Sequence, residues 1–216
     1  RQGTSDIKTI DEVVLKNSYQ KKGLHIDAGE KWLDFGACIG AFTVLAAAQK
    51  AKVIAFEPDP LSFSLLQQNV SQNGHHCEVR NEAVIASDKK MGLLHINAKN
   101  KNFWRNSLVK KWQGGHSIPV KQVNYRRFLE PDICIKMDIE GSEFEILDDL
   151  RLDDKIKKLV FEWSFDINND LIYFRATIAK LKKIFLHVEF NNTVKLENMK
   201  RWPPNWFPPC LTIFCY

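Results

Sequence analysis

Seven short runs rich in apolar and β-branched residues alternate with stretches of helical period: Trp32 to Phe35, Val53 to Phe56, Cys77 to Val79, Ile133 to Met137, Leu159 to Trp163, Leu186 to Phe190 and Leu211 to Cys215. Such alternation predicts βαβ crossovers, hence an α/β fold with a mostly parallel sheet. Strands covered by helices on both faces read as continuous apolar runs, and Val53 to Phe56 and Ile133 to Ile135 do so.

The helical stretches carry their own punctuation. Asp59 is placed to cap a helix, Pro60 to occupy its first turn, Leu61, Leu65 and Leu66 to face the sheet, and Gly74 to end it. Further on, Asn168, Asn169 and Asp170 precede Leu171, Phe174, Ile178, Leu181 and Phe185, a spacing that lays one apolar stripe along a helix. Residues 1–29 read as an amphipathic helix (Ile7, Ile10, Val13, Val14) and a loop, a lid or flank to a core over 30–216. Between Ala83 and Val123 the pattern breaks into short strands, Gly92 to Asn97 and Ile118 to Val123, around a polar, aromatic loop from Lys99 to Gly115. Long loops in compact domains tend to carry function. There is no internal repeat or linker, so the expectation is a single domain over 1–216. Because the chain opens on Arg1 with neither an initiator Met nor an apolar leader, it is expected to come from a longer polypeptide.

Composition narrows the class. With 216 residues, 44% hydrophobic and 26% charged, the chain can bury a full core and is neither a disordered tail, a collagen repeat nor a disulfide-dense miniprotein. The charge-free stretch Phe35 to Gln49 contains Gly36, Gly40 and Thr43 and falls short of a membrane span. The five cysteines, Cys38, Cys77, Cys134, Cys210 and Cys215, are odd in number and sit mostly in strand-like runs. That fits a reducing, cytoplasmic setting. Zinc would need clustered Cys and His ligands, and none are spaced that way. The net charge of +5 comes from scattered lysine pairs rather than one basic element, which disfavours nucleic acid; only Lys101 to Trp112 interleaves basic and aromatic residues.

Two features carry chemistry. The run Asp34, Phe35, Gly36, Ala37, Cys38, Ile39, Gly40 closes the first strand and opens a helix near Ala41 and Phe42. There Gly36 permits a sharp turn, and Gly40 leaves out a side chain that would bar a ligand from the helix N-terminus. Glu57 ends the next strand, 21 positions beyond Gly36, where an acidic side chain grips ribose hydroxyls. A ligand-free tight turn and help in capping with Asp59 are the plainer alternatives. A dinucleotide fingerprint would want glycine where Cys38 and Ala41 stand. Cys38 blocks close approach of a diphosphate but not of a phosphate-free nucleoside such as S-adenosylmethionine.

The chain resembles the FkbM family of class I S-adenosylmethionine-dependent methyltransferases. The resemblance rests on Asp34-x-Gly36-Ala37-x-Ile39-Gly40, on Phe56-Glu57-Pro58, and on Asp138-Ile-Glu140-Gly141-Ser-Glu143 followed by Leu147; it covers Lys31 to Leu150. Cys38 departs from the Asn the family commonly carries. The resemblance implies a Rossmann-like, seven-stranded, mostly parallel sheet whose final strand is antiparallel. It also implies one S-adenosylmethionine, released as S-adenosylhomocysteine, and O-methylation of a sugar or natural product. Asp34, Gly36, Ala37, Cys38, Gly40, Phe42, Glu57, Pro58 and Asp138 would surround the cofactor, with Asn81, Glu82 and Ala83 framing its adenine.

Methyl transfer is an in-line displacement, so alignment supplies much of the acceleration. A sugar hydroxyl also needs a base to take its proton. Asp138 at a strand's carboxyl end is the first candidate, with Glu140 next and Glu162 and His116 after them; helix capping is the alternative for Glu140 and Glu143. Asp138 and Asp166 would suit magnesium, but no spacing demands an ion, so no metal ligand is assigned and metal dependence stays open. For the acceptor, Trp104, Arg105 and Ser107 in one segment and Trp202 and Trp206 in another offer aromatic faces and hydrogen-bonding groups to a sugar ring; loop packing explains the second segment equally well. The implied partner is a small-molecule or glycan acceptor, a deoxyhexose such as rhamnose among those considered, with other glycan-building domains linked in cis. A nicotinamide-dependent oxidoreductase and a non-catalytic methyltransferase-like binding module stay as competitors.

Overall fold

A computed structural model describes residues 5–21, 23–97, 105–168, 170–191 and 210–216. Its strands are β1 (Lys31–Phe35), β2 (Lys52–Phe56), β3 (Glu78–Arg80), β4 (Ala83–Ile85), β5 (Met91–Ile96), β6 (His116–Asn124), β7 (Cys134–Met137), β8 (Lys158–Ser164), β9 (Val188–Phe190) and β10 (Cys210–Cys215). The helices are α1 (Asp6–Ile10), α2 (Ala41–Ala48), α3 (Pro60–Gln72), α4 (Glu143–Asp149) and α5 (Leu171–Ile184).

Seven strands form the main sheet in the order β3-β2-β1-β7-β8-β10-β9. All run parallel except β10, which pairs antiparallel with both β8 and β9. This is the Rossmann-like α/β arrangement that the resemblance implied. Phe35 at the end of β1 pairs with Phe56 on one side and Met137 on the other. Successive crossovers leave β1 in opposite directions, so its carboxyl end is a switch point, where open α/β sheets leave a crevice.

Alternation along each strand divides the core between the two faces. Leu33, Phe35, Ile135, Met137, Phe161 and Trp163 pack on one face; Trp32, Val53, Ala55, Cys134, Val160 and Phe214 pack on the other. Each fully buried large side chain contributes roughly 1.5–3 kcal/mol. Asp59 caps α3, accepting from the Leu61 backbone at 3.2 Å and from the Ser62 hydroxyl at 2.9 Å. Leu66 is buried as expected, but Leu61 is exposed. The α5 stripe of Phe174, Ile178, Leu181 and Phe185 is buried throughout, and Asp170 caps its helix.

Three expectations shift. The third strand starts at Glu78 and the sixth at Val188, leaving Leu186 exposed. At the N-terminus α1 passes into a π-helix at Asp11–Leu15, whose wider turn moves the register. Of the expected stripe only Val13 is buried, while Ile7, Ile10 and Val14 are exposed. β4, β5 and β6 form a second, three-stranded sheet in the order β4-β6-β5, of which the sequence pattern marks only β5 and β6. Among the described residues no cysteine is paired, and no helix is long and apolar enough to cross a membrane.

Candidate cofactor and methyl-acceptor site

A cavity of about 540 Å³ opens at the carboxyl ends of β1, β2, β7 and β8. Its floor is the turn after β1. Gly36 has φ +76°, and a Cβ there would lie 1.9 Å from the Asp138 carbonyl oxygen, so only glycine lets the two strand ends meet. The backbone amides of Gly36 and Ala37 both donate to the Phe56 carbonyl, at 3.0 and 2.9 Å, and the Asp138 amide donates to the Phe35 carbonyl at 3.0 Å. Gly40 serves a different end from the one its position implied. It is not in the cavity wall, and its Cβ would lie 2.6 Å from the Leu66 Cδ1, so it admits α3 rather than a ligand.

Glu57 is buried and holds the turn from the other side. Its Oε2 accepts from the Cys38 amide at 2.7 Å and its Oε1 from the Asp59 amide at 2.9 Å. Burial pushes its pKa up to about 7 against the pull of those amides. Each oxygen keeps a further lone pair for a hydroxyl donor. Beside it, Phe56, Pro58, Ala83, Val84, Leu94 and Leu108 line an apolar stretch suited to a flat heterocycle. Ala37, Cys38, Phe42 and Glu82 also lie in the wall. Asn81 stands behind it, donating to the Glu57 and Pro58 carbonyls at 2.8 and 3.1 Å. Asp34 lies beneath, where its Oδ2 accepts from the Thr43 hydroxyl at 2.6 Å and its Oδ1 is 3.1 Å from Lys136 Nζ.

Opposite the turn, Asp138, Glu140 and Glu162 converge on the same cavity. Burial, then the charge of Asp138, raises Glu162 to about 8, partly offset by a hydrogen bond from the Cys210 thiol. Burial and Asp138 raise Glu140 as well, against the pull of Arg105, whose Nε lies 3.4 Å from it. Glu140 adopts φ +50°, an uncommon conformation for a side-chain-bearing residue, of the kind that clusters at functional sites. Glu143 opens α4 without capping it: its carboxylate accepts from the Ile139 and Gly141 amides that precede the helix, both at 2.6 Å, and fixes the loop that presents Glu140.

The remaining candidates separate. Arg105 lines the cavity and also pairs with Asp166 at 2.6 Å. Lys110 meets the same carboxylate at 2.8 Å, so Asp166 is held by two cationic side chains. Among the described residues no group of three His, Cys, Asp or Glu side chains is arranged to hold a metal ion. Ser107 is buried behind the wall, its hydroxyl donating to the Glu140 carbonyl. His116 opens β6, exposed and away from the cavity lining. Trp104, Trp202 and Trp206 lie outside the described residues. Residues not singled out from sequence complete the wall, above all Tyr19 and Lys136. Lys136 had a signal, a charge inside a buried apolar strand; Tyr19 had none.

The raised carboxylates make stability fall as pH rises. Glu57, Glu143 and Glu162 titrate near 7, 7 and 8 when folded, against 4.5 ordinarily. Between about pH 4.5 and 8 the folded state therefore binds more protons than the unfolded one, and unfolding becomes easier with pH. Carboxylates held low, such as Asp27, Glu30 and Asp166, act in the opposite sense, and their contribution levels off once pH passes their ordinary values, at the low edge of that window. Thermal melts at constant ionic strength should show Tm dropping from pH 5 to pH 8, with a shallower drop in Glu162→Gln. A Tm that rises across that window would contradict the assignment.

A family model described as the Methyltransferase FkbM domain matches residues 34–189. No curated protein matches the chain at a significant level. Among solved structures, an S-adenosylmethionine-dependent O-methyltransferase from Thermotoga maritima is 14% identical over 95% of this chain and 69% of its own, with a TM-score of 0.49. A precorrin-6y C5,15-methyltransferase from Geobacter metallireducens is 13% identical over 90% of this chain and 83% of its own, with a TM-score of 0.47. A tRNA (uracil-54, C5)-methyltransferase from Pyrococcus abyssi, in complex with S-adenosyl-L-homocysteine, is 15% identical over 96% of this chain, at a TM-score of 0.45. This chain spans only 37% of that protein's length. These are distant likenesses, and what each protein acts on is a property of that protein.

Proposed function

The chain belongs to the FkbM methyltransferase family, and from that premise we propose that it is an O-methyltransferase acting on a sugar hydroxyl, with a carboxylate as general base. S-adenosylmethionine is the cofactor, and when bound it supplies an electrophilic methyl group. The cavity fits it. The buried Glu57 carboxylate has lone pairs for ribose hydroxyls, the apolar wall from Phe56 to Leu108 suits adenine, and the turn at Gly36 and Ala37 brings backbone rather than side chains to the floor.

The observation that carries the proposal is the convergence of Asp138, Glu140 and Glu162 on the cavity that also holds Glu57. A hydroxyl is a poor nucleophile until its proton leaves, and a positioned carboxylate takes that proton as the new bond forms. Asp138 takes this part. Glu162, which keeps its proton at neutral pH, donates a hydrogen bond to a neighbouring acceptor hydroxyl, and Arg105 supplies further donors at the rim. A polyol suits such a wall of donors and acceptors better than an isolated phenol does. After β7 the chain reads Asp138-Ile-Glu140-Gly141, not the Asn-Pro-Pro-aromatic run of amino methyltransferases, which weighs against an exocyclic amine.

The test has two stages. S-adenosylhomocysteine should raise Tm in a concentration-dependent way and NAD should not. Labelled methyl should then pass to methyl glycosides, 6-deoxyhexosides included, and not to nucleic acid or amines. Stabilisation by NAD alone, or label appearing only on nitrogen, would refute the reading.

A further inference from the structure

We propose that Tyr19, from the flank that precedes the sheet, is a positioning residue that orients Asp138 for proton transfer. The inference rests on Asp138 serving as the base. Tyr19 is 8% exposed, and its hydroxyl donates to Asp138 Oδ2 at 2.8 Å, across 119 residues of sequence. Its ring stands edge-on to Phe42 with centroids 6.0 Å apart, and Lys136 Nζ lies 5.3 Å from the ring centre. Burial and the neighbouring carboxylates hold the phenol well above its ordinary pKa, so it stays a donor.

A carboxylate at a strand end can rotate about its last bond and offer either oxygen. With Oδ2 engaged by Tyr19, Oδ1 is left for the acceptor, and a rotor with one oxygen pinned meets the acceptor in one orientation. The backbone of Asp138 is fixed independently by its amide bond to Phe35 and by the close approach of Gly36. Tyr19 thus controls the one freedom the sheet leaves. Thr9, Glu12, Val13 and Lys16 from the same flank also line the cavity, so the flank forms part of the working site. The other ionisable groups in the field of Asp138 are Lys136 on β7, Glu140 and Glu143 beyond it, Glu162 on β8 and Cys210 on β10.

Tyr19→Phe keeps the ring and removes the hydroxyl. In the full chain it should lower kcat about tenfold and leave the KM for S-adenosylmethionine within twofold. The acid limb of the kcat–pH profile should move to higher pH, because a hydrogen bond to the charged form of a base favours that form. In an Asp138→Asn background the same change should have no further effect on kcat. A folded Tyr19→Phe enzyme with full kcat and an unmoved acid limb would overturn the inference while leaving Asp138 intact as base. If Asp138→Asn itself keeps full rate, the base assignment fails and the role of Tyr19 falls with it. A loss confined to the KM for S-adenosylmethionine would make Tyr19 a cofactor contact instead and also overturn the inference.

Discussion

Asp138→Asn should slow methyl transfer by about 10²- to 10⁴-fold, the span a positioned general base contributes. The rise in Tm given by S-adenosylhomocysteine should survive. The substitution is nearly isosteric, and the new amide oxygen can still accept from Tyr19, whose hydroxyl reaches Oδ2 at 2.8 Å. What the amide cannot do is take a proton. Glu57 and the apolar wall, which carry the proposed cofactor contacts, are untouched, so the loss should fall on kcat and not on binding. The competing base is Glu162, at about 8. It would be mostly protonated at neutral pH and would work only in alkaline solution. Glu162→Gln should therefore cost less than Asp138→Asn at pH 7, and Glu140→Gln should fall between them, since that carboxylate is shared with Arg105. If Glu162→Gln shows the larger loss and the wild-type acid limb lies near pH 8, the base is Glu162 and the roles are reversed.

The parts of the site legible in the sequence are those fixed by backbone. The turn after β1 needs glycine at Gly36 because two strand ends touch there, and Glu57 directly follows β2, where its carboxylate meets the amides of Cys38 and Asp59. The Glu57 contact with Cys38 spans 19 residues, so spacing reveals it, whereas Gly36 meets Asp138 from far along the chain and shows in the sequence only as a glycine at a turn. Spacing cannot reveal purpose: Gly40, whose place at a helix start suggests a gate for a ligand, admits Leu66 instead. Asn81, implied by the resemblance as an adenine contact, donates to two carbonyls behind the wall. Long-range contacts were out of reach. Nothing near Tyr19 announces a partner 119 residues away, and in the segment before it a π-helix over Asp11–Leu15 changes the period on which an amphipathic stripe depends. His116 illustrates the converse, a side chain chosen for its chemistry that the fold leaves at the open end of β6.

Lys136 left a trace in the sequence, and removing it should have the largest effect on stability. Lys136→Met should destabilise the protein by about 3–5 kcal/mol, the usual cost of stranding one partner of a buried ion pair. Lys136 is 3% exposed and Asp34 is fully buried. Lys136 Nζ lies 3.1 Å from Asp34 Oδ1 and donates to the Gly36 carbonyl at 2.8 Å. Asp34 Oδ1 has no directed hydrogen bond, so the ionic contact with Lys136 is its compensation. Desolvation alone would lower the pKa of Lys136, but Asp34 and Asp138 outweigh it and keep the ammonium charged. Methionine fills the same volume and supplies none of this, leaving the Asp34 charge held only by the Thr43 hydroxyl. For a chain of this length, Tm should drop by roughly 10 °C. Asp34→Asn combined with Lys136→Met should recover part of that loss, because the stranded charge is then gone. A double variant no more stable than Lys136→Met alone would mean that the amine's hydrogen bond to the Gly36 carbonyl, rather than its charge, is what joins β1 to β7 beneath the cavity floor.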